Sequence, residues 1–163
     1  MIFVFGALIA LTLETLRLSS RLDWEIFETL TREYERENPA GYALYTFSST
    51  AVVFVFSPDV AIPAILMLMI ADPVIGVFGS GEVGSVKPVA VLLSMFGICV
   101  LLAIPFVPPI PAICGAIAAT AADGVKPVIA SYVIDDNLSI PPAAALAIIA
   151  GGQLVQHGYL PTF

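Results

Sequence analysis

Between Asp123 and Pro142 the chain reads DGVKPVIASYVIDDNLSIPP, setting the carboxylates of Asp123, Asp135 and Asp136, with Lys126 and Asn137, between two strongly apolar runs. A charged side chain costs roughly 2.5–3.5 kcal/mol at the centre of a membrane helix on insertion scales, so such groups either face water or do chemistry. Asp72 is a second candidate, about 9 Å inside the end of its apolar run at 1.5 Å per residue. Pro73 follows it, and its missing N–H frees a backbone carbonyl one turn earlier for a ligand or ion. The plainer reading of Asp72 is a helix-end carboxylate bonded to a neighbouring helix. The stretch GSGEVGSVKP, residues 79–88, offers the backbone N–H groups of Gly79 and Gly81, the hydroxyls of Ser80 and Ser85, and Lys87 as a point charge. That set suits phosphate. It lacks the residue order of a Walker motif, and a Gly/Ser loop is equally the usual flexible connection between helices. Carboxylates with room for a divalent ion, near a lysine that can face phosphates, are what phosphoryl transfer needs, because that catalysis is mostly positioning and charge neutralisation.

The elements that would hold these residues follow from composition. Of 163 residues, 59% are hydrophobic and 12% charged, and the mean hydropathy is +0.99. A soluble domain carries roughly 25% charged residues, so a single polytopic membrane domain over residues 1–163 is expected. The net charge of −7, with only six Lys plus Arg, argues against nucleic acid as a partner and against tight docking on anionic headgroups. Cys99 and Cys114 lie in apolar runs without metal or redox spacing and read as small buried hydrophobes. The first apolar run has no basic residue before it and no small-residue cleavage site, so it reads as a retained helix rather than a signal peptide.

Six spans are expected: Met1 to about Leu16, Tyr42 to Phe56, Val60 to Phe78, Val89 to Ile104, Pro111 to Ala122, and a last one capped by Ser139 with Pro141 and Pro142 in its first turn. Leu22, Ile26, Leu30 and Tyr34 recur at i+4 between charged faces, which predicts an interfacial amphipathic helix over about 22–37 with Trp24 and Phe27 at interface depth. The fold class is therefore all-α, a membrane helical bundle of about six transmembrane helices plus one interfacial helix. Every Lys and Arg falls within 17–36, 79–88 or 123–138, and an alternating six-span path puts all three on one side. The positive-inside rule makes that side cytoplasmic and both chain ends external.

These residues resemble the polyprenol kinase family, which includes dolichol kinase, phytol kinase and CTP-dependent diacylglycerol kinases, over about residues 14–150. The likeness to the family's C-terminal portion rests on Arg32-Glu33-Tyr34-Glu35 with Gly41-Tyr42 and Tyr45, on Asp72 at a span end, and on Lys87 with Ser94-Met95-Phe96. It continues in Ala119-Thr120-Ala121-Ala122-Asp123 and is strongest at Asp136-Asn137-Leu138-Ser139-Ile140-Pro141. The resemblance implies an integral membrane enzyme, divergent and short at its N-terminal side, that uses CTP and Mg2+ to phosphorylate a lipid alcohol. It would place Asp136, Asn137 and Asp123 in catalysis, Asp72 and Asp136 on the metal, and Gly79, Gly81, Ser85 and Lys87 on the nucleotide. The family's loop carries two arginines, a glutamate and a second Gly-Ser pair where this chain has residues 79–84 and Lys87-Pro88-Val89-Ala90-Val91-Leu92. The family's early Arg-Lys-x-x-His segment is also absent, and His157, the only histidine, reads as an exposed residue on the other side.

The leading expectation is a CTP-dependent kinase acting on a polyprenol, phytol-like or diacylglycerol-like alcohol at the cytoplasmic face, with membrane lipids around it and a homo-oligomer left open. The alternative is a non-catalytic relative that binds a lipid or a membrane partner. A small transporter ranks last, because the carboxylates cluster at span ends rather than at mid-depth and no inverted repeat is visible.

Overall fold

The structure, a computed structural model, describes residues 2–19, 31, 35–36, 38–77, 85–125, 127–129, 132–159 and 161. Within them the chain is all-α apart from one two-stranded hairpin. The helices are α1 (Ile2–Leu18), α2 (Gly41–Val55), α3 (Pro58–Gly76), α4 (Val89–Ala103), α5 (Pro109–Gly124) and α6 (Asp136–Gln156). Two of these, α3 and α6, are long and apolar enough to cross a membrane, and α2 and α4 are shorter apolar helices. The predicted interfacial helix over 22–37 and the loop residues 79–84 lie almost wholly outside the described residues, as does Lys126.

Prolines set most of the helix ends. Pro58 and Pro109 sit in the first turns of α3 and α5, where an amide hydrogen has no intrahelical acceptor and its loss is free. Pro88 stands at the N-cap of α4. The start of α6 differs from expectation. Its N-cap is Asp135, whose side chain accepts the Asn137 N–H at 3.0 Å, while Ser139 lies inside the first turn and bonds back to the Asp135 carbonyl at 3.1 Å. Asp135 stands directly before the first helical residue, where a carboxylate can accept an orphan amide, whereas Ser139 is the fourth residue of the helix. Pro141 and Pro142 are thereby carried into the second turn, where Pro141 cannot donate to the Asn137 carbonyl. Ser48 of α2 takes that carbonyl instead, its hydroxyl donating at 2.6 Å.

Helix α3 is interrupted by a π-helical turn, Met67–Ala71, in which the Asp72 N–H reaches back to the Met67 carbonyl. One extra residue in a turn rotates everything after it by about 100° relative to a continuous α-helix. Asp72 begins the last segment of α3 just beyond that turn.

Helix α6 is the centre of the bundle, packing on α5, α2 and α3, while α4 packs on α5 and α1 on α2. The α5–α6 pair is held close by glycines. A Cβ on Gly151 would lie 2.9 Å from Cys114 Sγ and 3.0 Å from Pro111 Cα, and one on Gly115 would lie 2.6 Å from Ile148 Cγ1. Small residues at crossing points let helix backbones approach closely. Buried apolar side chains such as Met67, Ile75, Met95, Ala116, Ile140 and Ile148 fill the interior, and Cys99 is fully buried among them as a free thiol. Large apolar side chains also cover the outside, among them Phe5, Phe54, Val55, Leu101 and Leu146.

After α5 the chain does not run as open loop. Val125 bridges to Val86, the Lys87 N–H donates to the Gly124 carbonyl at 3.0 Å, and β1 (Val128–Ile129) pairs antiparallel with β2 (Tyr132–Val133). The β-branched and aromatic residues of VIASYV suit that pairing.

Candidate functional site

Four helix ends meet at one pole of the bundle: the end of α3, the start of α4, the end of α5 and the start of α6. Each brings at least one ionisable group, and the start of α6 brings both Asp135 and Asp136. Asp72, Asp123 and Asp136 each place a carboxylate oxygen within 4.8 Å of the others, and the Lys87 ammonium donates to Asp123 Oδ1 at 2.6 Å. Asp123 and Asp136 are 1% and 2% exposed and Lys87 is 7% exposed, so their charges must be compensated within the protein or by something bound.

The second oxygen of Asp123 carries the sharper indication. Asp123 Oδ2 is buried and has no hydrogen-bond partner among the described residues. An unsatisfied buried acceptor costs about 1–3 kcal/mol, and more for a charged group. A divalent cation satisfies such an atom, and so does a proton shared with the Asp72 carboxyl, which lies within hydrogen-bonding reach of Asp123. Two oxygens on one Mg2+ at 2.0–2.1 Å lie at most about 4.2 Å apart and two on one Ca2+ at 2.3–2.6 Å at most about 5.2 Å, so carboxylates within 4.8 Å of one another are close enough for a Ca2+-sized cation and need a small side-chain adjustment to close on Mg2+.

Asn137 orients the pole. Its backbone N–H donates to Asp135 Oδ1 and Asp136 Oδ1, both at 3.0 Å, and its side-chain amide reaches the same two atoms at 2.7 Å and 3.3 Å. The Asp136 carboxylate is thus fixed in direction by the residue that follows it. On the α2 side Asn137 packs over Gly41: a Cβ there would lie 3.0 Å from Asn137 Nδ2 and 3.5 Å from Glu35 Oε1. The hairpin stands beside this pole. Burial and the neighbouring charges of Asp135 and Glu35 raise the Tyr132 phenol above its ordinary pKa.

The residues expected at the site therefore divide. Asp72, Lys87, Asp123 and Asp136 converge, and Asn137 positions Asp135 and Asp136. Lys87 lies against a carboxylate, whereas the expectation put it on phosphate. Ser85 is exposed at the approach to α4, and Gly79 and Gly81 lie outside the described residues. His157 is exposed beyond the far end of α6.

Sequence reading passed over a second buried cluster. Glu14 is 5% exposed and accepts from Arg17 Nη2 at 2.6 Å, from the Ala40 N–H at 2.9 Å, and from the Tyr42 hydroxyl. Arg17 also donates to the Asn38 carbonyl at 2.6 Å and the Arg36 carbonyl at 3.3 Å. This clamp ties the end of α1 to the start of α2 and so to the segment carrying Glu35 and Gly41. Glu14 and Arg17 at i, i+3 at the close of an apolar helix were the available signal. Glu35, 2% exposed beside Asn137, has as its sequence signal only its place in Arg32-Glu33-Tyr34-Glu35, part of the resemblance.

No family model, no curated protein and no solved structure matches this chain.

Proposed function

We propose that the chain is a membrane-embedded kinase that transfers the γ-phosphoryl group of CTP to a lipid alcohol at the cytoplasmic face. The six helices are read as six spans, with both described ends of the bundle outside and the carboxylate pole inside. The observation that carries the reading is the meeting of Asp72, Asp123 and Asp136 around an unsatisfied buried oxygen, with Lys87 beside them, at the end of an apolar bundle. A hard cation held there, a lysine and a carboxylate of fixed direction are the parts phosphoryl transfer uses, and a membrane edge is where an alcohol from the lipid and a nucleotide from the water can meet. The choice of CTP rests on the resemblance of Asp136-Asn137-Leu138 and its neighbours to the polyprenol kinases.

In this mechanism Asp72, Asp123 and Asp136 would hold a divalent cation. When bound, that ion neutralises negative charge on the phosphates. Asn137 keeps the Asp136 carboxylate aimed at the alcohol, and Asp136 accepts the hydroxyl proton. The alcohol oxygen forms a bond to the γ-phosphorus, the bond from that phosphorus to the β,γ-bridging oxygen breaks, and CDP leaves with the electron pair. Lys87, with three donors on its ammonium, compensates Asp123 before the nucleotide arrives and stands near the phosphates after it.

Purified protein given labelled CTP, Mg2+ and a panel of prenols, a phytol-like alcohol and diacylglycerol is expected to label at least one alcohol. Asp136→Ala is expected to reduce the product by about 10²-fold or more, in the range general acid–base groups contribute. No product with any alcohol overturns the kinase reading. One observation favours the second reading, a non-catalytic lipid- or partner-binding relative: Lys87 is already engaged by Asp123. Magnesium-dependent CTP affinity in an equilibrium binding assay counts against that alternative.

A further inference from the structure

Glu14 and Arg17 close on each other at the end of α1 through two contacts, Nη2 to Oε1 at 2.6 Å and Nε to Oε2 at 3.2 Å, with side chains only 6% and 9% exposed. The bonds they make beyond that helix run to residues 36–42. The Arg17 guanidinium donates to the Arg36 and Asn38 carbonyls, and the Glu14 carboxylate accepts the Ala40 N–H and the Tyr42 hydroxyl. A buried ion pair adds little stability over apolar side chains of the same volume, because desolvation offsets the attraction. Its bonds are directional where apolar packing is not, and a forked guanidinium on a carboxylate is the most directional of them. The clamp therefore fixes the path of the chain into α2 more than it glues α1 to α2.

That path matters because of what it lies against. Gly41, between the two residues that Glu14 grips, backs the Asn137 side chain: an added Cβ would lie 3.0 Å from Asn137 Nδ2 and 3.7 Å from its Cγ. Two turns further along α2 the Ser48 hydroxyl donates to the Asn137 carbonyl at 2.6 Å. Helix α2 thus holds Asn137 at two points, the main chain through Ser48 and the amide through Gly41. On its other side that amide lies 2.7 Å from Asp135 Oδ1 and 3.3 Å from Asp136 Oδ1. A continuous line of contacts runs from Glu14 and Arg17 through Gly41 and Asn137 to the Asp136 carboxylate.

We infer that Glu14 and Arg17 are positioning residues for the carboxylate pole: they hold the start of α2 where Gly41 backs the Asn137 amide, and Asn137 in turn aims Asp136. For its effect on phosphoryl transfer the inference rests on the kinase reading; its effect on Asn137 does not. Groups that orient a metal-binding side chain from behind change cation affinity or activity by about 10–100-fold when they are lost.

Asn38 and Asn137 are the only asparagines in the chain, so the full protein labelled with 15N-asparagine in detergent micelles reports Asn137 by NMR, and Asn38→Gln assigns it. In the parent the Asn137 side-chain amide is expected to give two well-separated proton signals, one for each bonded hydrogen. Arg17→Met and Glu14→Gln are expected to move both toward the position of an unbonded amide, and to weaken Mg2+ binding, measured by calorimetry, by about 10–100-fold. Tyr42→Phe removes one bond of the clamp and is expected to shift the signals the same way by less, which keeps the test open if the harsher variants do not fold. Gly41→Ala presses on Asn137 directly with the clamp intact and calibrates the size of the shift. Gly151→Ala, about 20 Å along α6 from Asn137, strains the α5–α6 contact and is expected to leave the signals and the Mg2+ affinity in place. Unmoved Asn137 signals in the clamp variants, or a shift of the same size in Gly151→Ala, overturn the inference and leave the clamp as a tie between two helices. Mg2+ affinity that holds while the signals move overturns it as well. Signals that move as expected in a protein whose parent transfers no phosphate from CTP overturn the kinase reading alone.

Discussion

The buried contact between Lys87 and Asp123 can be separated from the chemistry around it. Both side chains are almost fully enclosed, so removing one leaves the other charged without a partner, a change that costs about 3–5 kcal/mol in buried pairs. Lys87→Met is the harsher test, because it leaves three carboxylates of like charge facing one another. Thermal unfolding in detergent is expected to show Lys87→Met and Asp123→Asn each well below the parent, and the double variant above the sum of the two losses. Additive losses would mean that the pair carries no coupling. Added Mg2+ separates the cation reading from the pair: it is expected to raise the midpoint of the parent and, more strongly, of Lys87→Met, through binding to the folded state alone. An unchanged midpoint in both would remove the cation from the site.

At the scale of elements, helix α6 is where local rules and packing meet. Gly151 and Gly152 are neighbours in sequence with opposite surroundings: a Cβ on Gly151 meets Pro111 and Cys114, and one on Gly152 meets nothing within 4 Å. Gly151→Ala is expected to lower the unfolding midpoint by the equivalent of about 1–3 kcal/mol, the range for overpacking, while Gly152→Ala leaves it unchanged or raises it slightly. Equal effects would show that α5 and α6 are not in this contact. The same elements show why some of the fold is legible in the sequence. Pro58, Pro88 and Pro109 announce helix starts because a missing N–H acts locally, and the observed bounds fall within a few residues of the expected ones. The π turn at Met67–Ala71 has no such mark: its residues MLMIA are ordinary helix formers, and the rotation it introduces depends on what α3 packs against. Asp135 is the less obvious cap of α6 in the sequence, because Ser139 stands nearer the apolar run and is as good an N-cap residue by type. Asp72, Lys87, Asp123 and Asp136 were singled out from polarity in an apolar context, whereas the bonding of Lys87 to Asp123 needed the bundle's geometry.

At the scale of the molecule, the exposed side chains argue for lipid and the polar ones for an orientation. Apolar residues cover the flanks of helices on every side of the bundle, from Ile2 and Phe5 on α1 to Leu93 and Leu101 on α4 and Leu146 on α6, more than a soluble surface of this size presents as one region. The carboxylate pole, the hairpin and the Glu14–Arg17 clamp all lie at the other end of the helices from the short connections around Ser57 and around Pro105 to Pro108. If the helices span the membrane, Ser57 and Ser85 are therefore on opposite faces, and both are exposed. In a background carrying Cys99→Ala and Cys114→Ala, the variant Ser57→Cys is expected to react with a membrane-impermeant maleimide on intact cells, and Ser85→Cys only after permeabilisation. The reverse pattern would invert the orientation and put the pole away from cytoplasmic nucleotide, and reaction of both on intact cells would remove the six-span arrangement. Arg17, Arg36 and Lys87 all lie at the Ser85 end of the helices, and the positive-inside rule applied to them predicts the first outcome.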